Sequence, residues 1–139
     1  MAAEIFLPTL SDYKMDMQDK FSRCDKIRIN DLLLNCIIGI NDWERTQKQD
    51  VMINIVIFTD LSKPCKSDDI KDAVDYKQVK QEIIAMVEKS HFNLIERLAD
   101  EIAKICLVHK SVKAVSVRVD KPGALRFAKS VSIEIFRER

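Results

Sequence analysis

Val51 to Phe58 reads VMINIVIF, and it restricts the fold more than any other stretch of this chain. Its β-branched residues favour a strand. Val51, Ile53, Ile55 and Ile57 make one face of that strand, while Met52, Val56 and Phe58 load the other around Asn54. A strand with apolar residues on both faces belongs in the middle of a sheet and needs cover on each side. What supplies the cover then decides the architecture.

The flanking segments repeat the two-residue period. From Asp25, Ile27 and Ile29 alternate with polar residues, and Leu32, Leu34, Cys36 and Ile38 continue one face, with a bulge expected near Asn30-Asp31. Gly39 ends this strand. Val115, Val117 and Val119 form a third strand, and Val131, Ile133 and Ile135 a fourth. Between the second and third, the spacing changes to that of a helix. Val79, Ile83, Ile84 and Val87 predict one helix over 76–90 with Asp75 as its cap. Leu94, Ile95, Leu98, Ile102, Ile105 and Cys106 predict a second over 94–108, capped by Asn93. Residues 62–75 read as loop. Residues 1–24 show no sustained period and read as an extension laid over the surface or disordered.

The expected fold is therefore α+β, a ββααββ chain. Its single domain (25–139) is a four-stranded antiparallel sheet of two hairpins with both helices on one face. Two helices cover one face only. Leu33, Ile37, Met52, Val56 and Phe58 leave apolar area on the other, and both sheet edges lack an evident cover. Closing identical subunits into a ring buries such a face and pairs such edges, so a cyclic oligomer whose sheets form one barrel is expected.

Composition removes several functions. The 23 basic and 22 acidic residues leave a net charge of +1 with no basic run, which argues against a nucleic-acid partner. Four scattered cysteines, no CxxC pair and two histidines argue against zinc or an iron–sulfur cluster and suit a reducing cytosol. No window approaches 18 apolar residues, and the N-terminus lacks the pattern of a signal peptide, so a cytoplasmic protein is expected. Two glycines cannot make a phosphate-cradling loop. His91 and His109 lie at opposite ends of the second helix and read as helix-end residues.

Four polar residues remain. Lys121 stands in Asp120-Lys121-Pro122-Gly123-Ala124-Leu125-Arg126, where Pro-Gly marks a turn, and alone it reads as a solvated lysine. Glu44 follows Trp43 and reads alone as a loop acid; Tyr76 reads as a packing tyrosine at a helix start. Glu96 lies between Ile95 and Leu98, and reads alone as an ordinary boundary carboxylate or one in a salt bridge with Arg97 or Lys104.

Together the segments resemble one family. IGINDWERTQKQ (38–49), SDDIKDAVDY (67–76), FNLIERLADEIA (92–103) and DKPGALRFAKSVSIEI (120–135) are similar, in order and spacing, to the signature blocks of bacterial dihydroneopterin aldolases. The resemblance implies the tunnelling fold, a reduced pterin as substrate, and a homo-oligomer: a tetrameric ring, or two rings stacked as an octamer, with active sites between subunits. It implies that Glu96 anchors the pterin through the paired N–H donors of its amino-pyrimidinone edge, with backbone groups of Ile95 and Val74 completing that edge. Lys121 becomes the catalytic lysine, Tyr76 a proton relay from the neighbouring subunit, and Glu44 the acid that positions substrate hydroxyls or water.

The implied reaction is retro-aldol cleavage of 7,8-dihydroneopterin in folate biosynthesis, releasing glycolaldehyde. The pterin's own imine takes up the electrons, so neither a Schiff base, a metal nor another cofactor is required. For Lys121 to act as a base near neutral pH, burial or a nearby cation must depress its pKa, and Arg126 is the nearest candidate cation. Two other readings stand beside this one. Ala124-Leu125-Arg126-Phe127-Ala128 looks like the relatives that epimerise dihydroneopterin triphosphate at C2′, whereas Asp42-Trp43-Glu44 and Lys121-Pro122-Gly123 look like the aldolases. The third is a non-catalytic ring that binds pterins or purines, or acts as a scaffold.

Overall fold

The computed structural model describes residues 20–139 together with residues 5, 7, 9 and 10. Five strands make its sheet: β1 (Asp25–Ile38), β2 (Gln49–Thr59), β3 (His91–Phe92), β4 (Ala114–Pro122) and β5 (Ser130–Glu138), in the order β3-β1-β2-β4-β5. All neighbours are antiparallel except β3, which pairs parallel with the end of β1 through Ile37–His91 and Ile38–Phe92. The helices include α1 (Ser62–Ser67), α2 (Tyr76–Lys89) and α3 (Ile95–Val108).

The central position expected for Val51–Phe58 is observed, since β2 pairs with β1 on one side and β4 on the other. Val51, Ile53, Ile55 and Ile57 are at most 1% exposed and pack beneath α2 and α3 with Val79, Ile83, Leu98, Ile102 and Cys106. Each such side chain is worth roughly 1.5–3 kcal/mol of burial. The bulge in β1 falls between Ile29 and Leu32, where the register shifts and Asp31 takes a φ of 54°. Asn54, the polar interruption of β2, accepts the Asp31 N–H at 2.9 Å and so satisfies the bulged backbone. The extra residue keeps Ile27, Ile29, Leu32 and Leu34 on the core side.

Several expectations need correcting. The sheet has a fifth strand, and the expected 62–75 loop contains the short helix α1. Asp75 does cap α2, accepting the Gln78 N–H at 3.1 Å, but Asn93 does not cap α3. That helix starts at Ile95 with Leu94 at its N-cap position, offering no side-chain acceptor. Strand β4 runs on through Lys121 and Pro122, which pair with Val131 and Ser130, so the turn proper is 123–129. Lys121 is thus a strand residue, held on a ladder rather than in a turn. Gly123 opens the turn at φ 70°, a conformation that costs glycine nothing.

Most of the expected extension over 1–24 lies outside the described residues. Its end does not: Phe21 is buried against Phe58 and Phe136, with ring centroids 5.8 and 5.5 Å away. These rings sit on the sheet face away from the helices. Elsewhere that face keeps Leu33 exposed, with Met52 and Val56 partly so. Among the described residues β5 has no strand on its outer side, and β3 covers β1 only at Ile37 and Ile38. No described helix is long and apolar enough to cross a membrane.

Candidate active site

Gly39 breaks β1 at a φ of 119° and starts the loop that carries Glu44. Asn41 then leads a single 3₁₀ turn, Asp42–Arg45. Glu44, three residues on, reaches back so that Oε1 accepts both the Asn41 backbone N–H (3.2 Å) and its side-chain Nδ2 (2.7 Å). This is one arm of a capping box. The other carboxylate oxygen accepts from Gln49 Nε2 at 3.0 Å, and the same Nε2 donates to the Ile38 carbonyl at 2.7 Å. Lys121 Nζ completes the set by pairing with Oε2 across the sheet.

Glu44 is therefore not a solvated loop acid. It is 4% exposed, and all its neighbours are donors. The Lys121 ammonium first, and the Gln49 amide second, hold its carboxyl down at about 2; loss of water works against them and is the weaker influence. The carboxylate lies just under the surface, covered by side chains rather than deep in the core, which is consistent with that order. Gly39 makes the arrangement possible. A Cβ built there would lie 2.2 Å from Glu44 Oε2.

Lys121 is nearly covered as well, with 13% of its side chain exposed. The charge in contact with it is the Glu44 carboxylate. Arg126, the cation expected beside it, instead lies over the Phe127 ring at 5.2 Å. Asp120, next in the strand, is occupied by Arg118 (2.9 and 3.2 Å) and by Ser130 (3.1 Å). Nearby Cys36 is fully buried, and burial pushes its thiol up, as suits a core residue.

The second half of the site is at the start of α3. Ile95 is buried, and Glu96 projects from the first turn into solvent. Of the two readings open to it alone, the salt bridge does not form: Arg97 pairs with Glu101 at 3.1 Å, and Lys104 with Asp100 and Glu101 at 3.4 and 3.2 Å. Among the described residues no hydrogen bond or ion pair engages the Glu96 side chain. An acid there is favoured by the helix dipole and keeps both oxygens available. Tyr76 is 53% exposed at the start of α2, and its N–H donates to the carbonyl of buried Val74 at 3.0 Å.

The structure thus joins Glu44 to Lys121 directly. Glu96 and Ile95 do not touch that pair and are joined to it by hydrogen bonds through β3 and the Glu44 loop, and within one chain Tyr76 makes no side-chain bond to any of them. Three residues went unnoticed in the sequence: Asn41, Gln49 and Arg45. The first had a readable signal, since an Asn followed three positions later by Glu is capping-box spacing.

The dihydroneopterin aldolase (FolB) family pattern matches residues 27–136. The chain belongs to the dihydroneopterin aldolase family. A folic acid synthesis protein of Dictyostelium discoideum is 41% identical over 113 residues, 81% of this chain; the chain spans only 17% of that protein's length. A dihydroneopterin triphosphate 2′-epimerase of Pseudomonas aeruginosa is 40% identical over 82% of this chain and 93% of its own length. The crystal structure of Escherichia coli dihydroneopterin aldolase in complex with neopterin superposes with a TM-score of 0.78 at 34% identity, covering 81% of this chain and 98% of that one. Family membership places the α+β fold among the tunnelling-fold proteins, as the resemblance implied.

Proposed function

We propose that this dihydroneopterin aldolase family member acts on 7,8-dihydroneopterin as an aldolase, giving 6-hydroxymethyl-7,8-dihydropterin and glycolaldehyde. The observation that carries the reading is the buried Glu44–Lys121 pair, formed between the loop after β1 and the end of β4. The contact fixes the Lys121 nitrogen in one place, and a positioned group suits proton transfer better than a freely solvated one. The neopterin-bound relative supports a pterin as ligand.

Glu96 anchors the pterin by accepting two N–H bonds in a fork, and backbone groups of Ile95 and Val74 complete that edge. Glu44 then shares its charge with the substrate's side-chain hydroxyls, which loosens its hold on Lys121. Released from that contact, the Lys121 ammonium gives its proton to water, and the neutral amine accepts the 2′-hydroxyl proton directly or through one water. The C1′–C2′ bond breaks, its electron pair enters the C6=N5 imine, and C2′ with C3′ leaves as glycolaldehyde. The resulting enamine takes a proton at C1′ with Tyr76 of a neighbouring subunit as relay. The uncovered sheet face and open edges support the ring that such sharing requires, and equilibrium sedimentation is expected to give a multiple of four subunits.

One observation favours a second reading. Identity to the Pseudomonas epimerase is 40%, against 34% to the Escherichia coli aldolase. Epimerisation uses the same enamine, which re-adds the aldehyde on its other face, so both outcomes need the same residues. Purified protein is incubated with 7,8-dihydroneopterin and, separately, with its triphosphate, and the products are resolved by chromatography. Hydroxymethyldihydropterin from the first supports the aldolase; epimer alone from either overturns it in favour of the epimerase; no turnover leaves the non-catalytic ring.

A further inference from the structure

Arg45 closes the 3₁₀ turn immediately after Glu44, and its guanidinium does not point to solvent or to an acid. Nη1 donates to the carbonyls of Gly39 (2.9 Å) and Phe92 (3.0 Å), and Nη2 donates to that of His91 (2.5 Å). One planar fork thus joins the start of the Glu44 loop to both residues of β3.

The Phe92 side chain packs against the core, with Arg97 over its ring at 5.8 Å, but the backbone of those two residues has few other bonds. The strand β3 is paired with β1 over two positions only, and the Gly39 N–H reaches the Phe92 carbonyl at a long 3.4 Å. Two residues of parallel ladder are marginal by themselves. Yet β3 is the segment from which the chain enters α3, three residues before Ile95 and four before Glu96. The Glu44 turn, for its part, is fixed to Lys121 by the buried carboxylate.

We infer that Arg45 is a positioning residue: it sets the distance between the Glu96 pterin anchor and the Glu44–Lys121 pair. The inference rests on the pterin reading given above and names how its two halves are kept in register. A side chain that merely capped a loop would need one acceptor; this one spans two segments that carry different parts of the site. Arginine suits the task because its donors lie in one rigid plane, so two segments bonded to it cannot slide independently. The consequence is specific. With the pterin ring held at Glu96, a shift of the Glu44–Lys121 pair changes how well the proton taken up by Lys121 reaches the Tyr76 relay and C1′. The enamine's choice between protonation at C1′ and re-addition of the aldehyde then changes as well.

The test compares wild type, Arg45→Met and Arg45→Lys, with 7,8-dihydroneopterin as substrate. Measured quantities are kcat, KM, and the ratio of hydroxymethyldihydropterin to C2′ epimer; thermal melting checks folding. Arg45→Met is expected to lower kcat by on the order of tenfold to a hundredfold, as misplacements near 1 Å do, with KM changed about twofold or less. The product ratio is expected to move at least about threefold. Arg45→Lys keeps the charge without the fork and is expected to fall between, which also serves if Arg45→Met folds poorly. A partly unfolded enzyme loses both products in proportion, so an unchanged ratio in both variants overturns the inference even if kcat drops. Wild-type protein that neither cleaves nor epimerises overturns the pterin reading itself, and the inference falls with it.

Discussion

Two glutamates of the site are surrounded in opposite ways. Glu44 is 4% exposed and receives four hydrogen bonds, from the Asn41 backbone, the Asn41 amide, Gln49 and Lys121. Glu96 is exposed, and among the described residues nothing bonds to its side chain. Covering a carboxylate is costly unless its oxygens are satisfied, and the loop from Gly39 to Gln49 is built around satisfying one. Glu96 is open to solvent, and a ligand offering two parallel N–H donors could bond both its oxygens without leaving a lone pair empty. On the proposed reading the contrast is a division of labour, with the covered acid in the reaction and the open acid in recognition.

Removing the lysine tests the first half most severely. Lys121→Ala is expected to lower the turnover of dihydroneopterin by on the order of a thousandfold, the usual worth of a positioned acid–base group. Initial-rate assays on protein checked for folding decide it; turnover within about tenfold of wild type would remove Lys121 from the chemistry.

Gly39→Ala attacks the same half through the backbone. Its Cβ would sit 2.2 Å from Glu44 Oε2, at a φ of 119° that alanine avoids. A loss of about 3 kcal/mol in denaturant unfolding is expected, from backbone strain together with displacement of the carboxylate. Full stability would mean that the Glu44 pocket is looser than described.

On the open side, Glu96→Ala is expected to leave the melting temperature unchanged and to weaken neopterin binding by on the order of tenfold to a hundredfold. That is the worth of hydrogen bonds to a charged group. A drop in stability with unchanged affinity would reverse the roles assigned to the two acids.

The smallest effect is a pH dependence. The Glu44 carboxyl is held at about 2 in the folded chain against an ordinary 4.5. A lowered folded-state value contributes stability that is present above pH 4.5 and lost as pH falls toward 2. By pH 3.5 the loss is on the order of 1 kcal/mol. Unfolding curves at pH 6 and pH 3.5 are expected to show this for wild type, and Glu44→Gln is expected to lack it; equal acid sensitivity in both would mean that Glu44 is not held by its partners.

How far this contrast could be read in the sequence follows from what makes a pattern. Periodic apolar residues announced the four long strands, the two long helices and the bulge at Asn30-Asp31, because burial imposes a period on many residues at once. Two-residue β3 is too short to show one. In α1, Pro64 and Lys66 look like loop residues, and only the three-dimensional path of the chain makes them helical. Glu44 was misread for a related reason: Asp42, Glu44 and Arg45 form a polar run, and polarity alone does not separate a hydrated carboxylate from one enclosed by donors. Lys121 was placed in a turn since Pro122-Gly123 signals one, whereas the ladder continues to Pro122 because only its carbonyl is needed there. For Glu96 a salt bridge was one of two readings, and its candidate partners Arg97 and Lys104 instead find Glu101 at i+4 and i−3 spacings. The role of each acid came from the resemblance, and their surroundings from the fold.

The measurement that bears most directly on the division of labour is a crossed one. Neopterin affinity is measured by titration calorimetry for Lys121→Ala and Glu96→Ala alongside wild type. The account predicts that Lys121→Ala binds within about threefold of wild type although it no longer turns over, while Glu96→Ala loses on the order of tenfold or more. Equal loss of affinity in both variants would contradict it, and would mean that the covered pair and the open acid form a single binding surface.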